Sequence, residues 1–153
     1  MNRTYCVFTD GSAIGNPGPG GWGAVVMNGS RRWEMSGGYT RTTVSEMELV
    51  AAIEALRSLP PGGHIELHSD SQYLVYGMSG FVSKWERDGW RNRRGGRIQH
   101  RELWTELTRL NARHAVRWLW LKGHNGHREQ TRADALAYRA ARALWLREKT
   151  ATA

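Results

Sequence analysis

The order of elements predicts an α/β chain built on one mixed sheet flanked by helices. Apolar runs of strand length are separated by turn-forming glycines in the first quarter, and strands then alternate with helical periodicity. The first run, Tyr5-Cys6-Val7-Phe8-Thr9-Asp10, predicts a strand closed by Asp10. Residues 21–27 and 31–39 predict two more, joined by Asn28-Gly29, a dipeptide that favours the positive φ angles of a two-residue hairpin. Residues 3–40 therefore read as a three-stranded antiparallel meander.

Residues 44–58 carry Met47, Val50, Ala51 and Leu56 at helical spacing, and Pro60-Pro61-Gly62-Gly63 stops that helix. A strand over 64–69 ends before Asp70. Residues 72–79 and 81–88 predict two short helices broken near Gly80, and the polar stretch 89–96 a loop. Leu103, Leu107 and Leu110 share one face of a helix over 101–113. Val116, Trp118 and Trp120 alternate along a strand over 115–121, and an alanine-rich helix runs from 129 to 147. No internal repeat or linker interrupts this order, so residues 1–153 read as one domain, with residues 145–153 a frayed tail.

A chain of 153 residues, 40% apolar, with 18 glycines and 8 tryptophans, is long enough to bury a full core. No apolar run reaches membrane-spanning length, and the start lacks the basic-then-apolar layout of a signal peptide. Cys6 is the only cysteine, which rules out an internal disulfide. These features predict a soluble, cytoplasmic monomer with no membrane partner. The formal charge of +8 points to a polyanionic partner, nucleic acid before membrane.

Against that basic background stand Asp10, Glu48, Asp70 and Asp134, which include three of the four aspartates in the chain. Each has an ordinary explanation. Glu48 sits on a helix, where most acids are solvated; Asp70 is placed to cap a helix from Ser71; Asp134 is placed to favour a helix dipole. Yet Ala51, Ala52 and Ala55 share the face of Glu48 and let its helix approach the sheet closely. Like-charged carboxylates a few ångströms apart repel, so a cluster of them implies bound cations. The glycines around Asp10 are not a dinucleotide fingerprint, since Pro17 and Pro19 prevent a following helix. They leave room for close approach to the backbone beside Asp10.

Thr9-Asp10-Gly11-Ser12, Gly15-Asn16-Pro17-Gly18-Pro19-Gly20-Gly21, Gly38-Tyr39-Thr40-Arg41-Thr42-Thr43, Met47-Glu48-Leu49, Asp70-Ser71-Gln72-Tyr73 and Lys122-Gly123-His124 occur in that order. Together they resemble the type 1 ribonuclease H family in its bacterial form, over residues 4 to about 145. The resemblance implies a ribonuclease H-like fold, with a five-stranded mixed sheet of three antiparallel strands and two parallel additions. It implies hydrolysis of the RNA strand of an RNA–DNA hybrid, leaving a 3′-hydroxyl and a 5′-phosphate. It makes Asp10, Glu48, Asp70 and Asp134 the metal-binding acids, with Asp10 bridging two Mg²⁺ ions and Mn²⁺ as a substitute. Two divalent ions stabilise both the attacking and the leaving oxygen of an in-line displacement. His124 becomes a proton carrier or an aid to product release, roles that suit a mobile histidine with a pKa of about 6.5, and His127 a structural residue.

Residues 84–101 hold seven basic side chains against Glu86 and Asp88, with Trp85 and Trp90 interleaved. A charge run is usually a solvated loop, but this enrichment with aromatics suits a nucleic-acid backbone. The resemblance makes it a basic protrusion for the DNA strand, with Phe81 and Trp85 as its aromatic channel. It also assigns minor-groove contacts to Gly11, Ser12, Asn16, Glu48 and Gln72, and a DNA-phosphate pocket to Arg41, Thr43 and the position of His100. Three positions depart from the family pattern. Val44 and Ser45 replace two asparagines, His100 replaces another, and Phe81 replaces a tryptophan. These changes predict altered hybrid affinity with the chemistry intact.

Overall fold

β1 (Thr4–Ala13) is longer than its apolar run, and the difference places the site. In this computed structural model, which describes residues 3–123 and 127–151, β1 pairs antiparallel with β2 (Gly18–Asn28) from Cys6 opposite Met27 to Ala13 opposite Gly20. On its other side it pairs in parallel with β4 (His64–Ser69), but only from Thr4 opposite His64 to Thr9 opposite Ser69. Asp10 therefore does not close β1. It is the first β1 residue beyond the end of β4, beside Asp70, the first residue after β4. Open α/β sheets bind ligands at such carboxyl ends of parallel strands.

β3 (Arg31–Thr42) completes the meander, and β5 (Ala115–Trp120) adds in parallel to β4. The order across the five-stranded sheet is β3-β2-β1-β4-β5. The hairpin turn lies one residue later than Asn28-Gly29 predicts: Asn28 pairs with Arg31, and Gly29 takes the positive φ of 62°.

Strand alternation splits the core in two. Val7, Trp22, Ala24, Val26, Ile65 and Leu67 pack with α1 (Val44–Arg57) and α4 (Arg101–Arg113) in the larger cluster. Phe8 and Val25 pack with Ala133 and Leu136 of α5 (Arg128–Ala151) in the smaller one. Thr43 caps α1, its hydroxyl accepting from the Glu46 N–H at 3.2 Å. Between β4 and α4, α2 (Gln72–Tyr76) passes through one π turn at Gly77–Phe81 into α3 (Val82–Arg87). The predicted break near Gly80 is this π turn, which contains Gly80 and begins three residues before it. The irregularity begins at Gly77, where the Trp104 ring presses on the backbone and would leave no room for a side chain.

α5 runs on to Ala151, so the residues predicted to fray are helical as far as the described chain extends. Thr150 donates to the Leu146 carbonyl at 2.7 Å, and Lys149 lies over the Trp145 ring one turn back. The start of α5 is tied to β3: Arg132 forks onto Glu34 at 2.8 and 3.0 Å, and Arg32 bridges Glu34 and Glu129. The two guanidinium groups, Arg132 foremost, hold the Glu34 carboxyl down at about 2. No helix among the described residues is long and apolar enough to cross a membrane.

α5 lies nearly in backbone contact with β2. A methyl group on Gly23 would stand 2.5 Å from the Ala133 carbonyl oxygen and 2.7 Å from the Leu136 Cβ. Gly23 pairs with Asp10, so this contact also carries Asp134 toward Asp10. Gly23→Ala is expected to lower unfolding free energy by about 1–3 kcal/mol, the usual cost of overpacking. Urea denaturation at wild-type midpoint would refute the contact.

Candidate active site

Asp10, Glu48 and Asp70 present carboxylate oxygens that all lie within 4.8 Å of one another. Asp10 is 3% exposed and Glu48 6%. Each is delivered by a different device. Asp10 comes from the part of β1 that pairs with β2 but runs past the end of β4. Glu48 is brought in by α1, which rests on Gly11: a methyl group there would stand 2.5 Å from the Glu48 nitrogen. Ala51, Ala52 and Ala55 are fully buried and let the helix settle at that depth. The space beside Asp10 that the glycine leaves is thus filled by α1 itself. Asp70 follows β4, and its carbonyl accepts from Trp120 Nε1 at 3.2 Å. Ser71, not Asp70, caps α2, with its hydroxyl accepting from the Leu74 N–H at 3.1 Å.

Asp134 lies nearly two turns into α5, beyond the reach of the helix-start dipole, and its charge acts on Asp10. Gln130, one turn earlier and fully buried, donates to the Thr9 carbonyl at 2.9 Å and locks the helix register. Gln130 is a positioning residue that sequence reasoning missed; its only signal was a polar side chain on the alanine-rich face. His124 lies outside the described residues. His127, which is described, sets its ring 6.0 Å from Phe8, in keeping with a packing role.

The cluster is electrostatically strained without cations. Burial raises the Asp10 carboxyl, the Asp70 and Asp134 charges add to that, and its pKa reaches about 8 despite a 2.9 Å bond from the Gly11 N–H. Burial and the neighbouring Asp10 also push Glu48 well up. Burial and like charge both disfavour ionising the two carboxyls together. Glu48 Oε2 is buried and has no hydrogen-bond partner among the described residues. An orphaned carboxylate oxygen beside two further carboxyls fits hard divalent cations, which take oxygen ligands and neutralise this repulsion.

Around this centre the predicted substrate residues fall into three groups. Ser12 is half-buried at the end of β1, and Gln72 is exposed at the start of α2. Asn16 is exposed, but its Oδ1 accepts from the Val44 N–H at 3.0 Å, which fastens the 14–19 loop to the start of α1. Arg41 is exposed at the end of β3, next to the cap residue Thr43. His100, at φ 61°, places Nδ1 3.0 Å from the Tyr73 hydroxyl and Nε2 3.8 Å from Glu46. Glu46 also accepts from Thr42 Oγ1 at 2.9 Å, so it spans from β3 to His100. Tyr73 and Glu46 were not among the predicted site residues, though the Thr-x-x-Glu spacing at 43–46 was a legible cap signal.

Phe81 is 52% exposed and stacks at 5.9 Å on Trp85, which packs edge-on to Trp104. Trp90 differs from its predicted role: it is buried at the base of the basic loop against Trp85, with Arg101 over its ring. Its ring supports the loop and offers little face to a ligand.

The raised carboxyls fix a pH dependence. In the unfolded chain Asp10 ionises near 3.8, while in the folded, metal-free protein it holds its proton to about 8. The folded state binds more protons between those values, so stability falls as pH rises from about 4 to 8. Asp10→Asn is expected to stabilise the metal-free protein at pH 8 by on the order of 1–3 kcal/mol, and not at pH 4. Thermal melts in EDTA at both pH values check this, and an equal effect at both would contradict it.

The family model described as RNase H matches residues 2–142. The chain is 45% identical over 150 residues to a protein named Ribonuclease H from Aeromonas salmonicida, covering 98% of this chain and 97% of that one. It is 48% identical over 131 residues to a Ribonuclease H from Chelativorans sp., covering 86% and 81%. The crystal structure of LC9-RNase H1, a type 1 RNase H, superposes with a TM-score of 0.84 at 31% identity, covering 94% of this chain and 74% of that one. With the family model spanning residues 2–142 and relatives at 45–48% identity over most of the chain, the chain belongs to the ribonuclease H family, in its bacterial type 1 branch.

Proposed function

We propose that this protein hydrolyses the RNA strand of RNA–DNA hybrids internally, as a cytoplasmic monomer, leaving 5′-phosphate and 3′-hydroxyl ends. The observation that carries the reading is the trio of buried Asp10 and Glu48 with half-buried Asp70 within 4.8 Å, with one orphaned oxygen, in a chain of net charge +8. That acidic island has no use in a module that merely binds polyanions, because it repels them. Asp10, Glu48, Asp70 and Asp134 would hold two divalent ions, Mg²⁺ by preference with Mn²⁺ as a substitute. Such ions supply an activated water and charge stabilisation at the leaving oxygen.

The remaining residues bind and orient. Arg41, Thr43 and His100 hold a phosphate of the DNA strand, with Glu46 and Tyr73 setting the His100 ring. Phe81 and Trp85 stack along the DNA backbone that the arginines of residues 84–101 attract. Ser12, Asn16, Gln72 and the Gly11 backbone read the minor groove, where the 2′-hydroxyl distinguishes RNA from DNA. His124 carries a proton or assists product release. With Val44 in place of an asparagine, the groove loses one amide contact.

Labelled hybrid, duplex DNA and duplex RNA, each with Mg²⁺, Mn²⁺ or EDTA, test the reading. The expected outcome is metal-dependent cutting of the RNA strand in the hybrid alone. Asp10→Asn should reduce turnover by at least about 10³-fold, the scale of losing electrostatic stabilisation of the transition state, while hybrid binding persists. Val44→Asn should lower KM by roughly two- to tenfold, the worth of one added hydrogen bond. An unchanged KM would remove the groove role assigned to that position.

A further inference from the structure

A second basic cleft adjoins the site on its outer side. The end of β3, the 14–19 loop and the last turns of α5 enclose about 420 Å³, with Arg41, Trp145, Glu148 and Lys149 in its lining. The Lys149 ammonium stands 5.3 Å from the centre of the Trp145 ring. Arg142 lies on the same stripe of α5, at i, i+3 and i+7 with Trp145 and Lys149, and makes no ion pair among the described residues. This cleft exists only because α5 stays helical to Ala151.

Two walls of the cleft are residues to which the proposed function already assigns nucleic acid. Arg41 belongs to both the phosphate pocket and the cleft. The 14–19 loop carries Asn16 and is fastened to the start of α1 through the Val44 N–H. A backbone leaving the active site past Arg41 or Asn16 therefore runs into the cleft. There Arg41, Lys149 and Trp145 line its path, with Glu148 the opposing charge. Cations neutralise phosphates, and an indole face packs on sugars and bases.

Resting on the proposed function, we infer that this cleft holds the sugar–phosphate backbone of the same hybrid beyond the cleaved stretch, with Lys149 as its phosphate contact. The site then grips a longer hybrid than the residues around the carboxylates span.

KM for hybrids of increasing length, measured at several salt concentrations, tests this with three exposed substitutions. Lys149→Ala is expected to raise KM about two- to fivefold on the longest hybrids at low salt. The variant-to-wild-type ratio should grow with length, and the slope of log affinity against log salt should fall by roughly one. Glu148→Gln should move KM the opposite way. Arg147→Ala, on the same turns but outside the cleft, should leave KM at its wild-type value. If Lys149→Ala and Glu148→Gln both match wild type at every length and salt, the cleft assignment is wrong although hybrid cleavage stands. If wild type fails to cut any hybrid, the proposed function itself falls first.

Discussion

Two helices lying almost in backbone contact with the sheet control everything else in this protein. α1 rests where Gly11 has no side chain, and α5 rests on β2 where Gly23 has none. A helix seated on ordinary side chains would stand farther out, at the usual spacing of packed layers. Here the missing methyl groups bring Glu48 and Asp134 down to the margin of the sheet, where Asp10 and Asp70 already stand. The close approach also explains the alanines: Ala51, Ala52, Ala55, Ala133, Ala137 and Ala141 are all buried with at most a trace of exposure. Without them Asp10, Glu48 and Asp70 would not meet within 4.8 Å, and Asp134, which stands outside that trio, would lie farther still from Asp10.

Packing at that depth sets an electrostatic cost. Burial pushes the Asp10 and Glu48 carboxyls up, and the Gly11 N–H offsets this only in part at Asp10. The fold tolerates this because its hydrophobic layers on both faces of the sheet are complete, and because cations can replace the proton. Functional sites commonly store such unfavourable charge. The positive charge is kept apart from it, in the 84–101 loop and along α5, so attraction for a polyanion does not simply neutralise the acids.

A chain of aromatic contacts links the two regions. Phe81 stacks on Trp85, Trp85 meets Trp104, Trp104 donates to Tyr73, and Tyr73 reaches His100. Glu46 closes the other side of His100. The His100 ring is thus oriented from both α2, through Tyr73, and α1, through Glu46.

Periodicity and turn chemistry were enough to place β4 at 64–69 and α4 at 101–113, because local sequence alone decides alternation, helical spacing and proline stops. The four acids were legible as a set from motif order. Several features were not. Asp10 is not a strand end in β1, since the end that matters belongs to β4. The helix irregularity starts at Gly77, three residues before Gly80, where a ring from α4 presses on the backbone. Trp90 is buried against Trp85 and under Arg101, and the last turns of α5 stay helical with Lys149 over the Trp145 ring, contacts that no composition or turn signal displays. By itself the sequence determined the elements, the charge balance and the identity of the carboxylates. Tertiary structure alone decided their depth, their raised proton affinity and the cleft beside Arg41. Those depend on how closely helices approach the sheet, which is set by volumes meeting across long sequence separations.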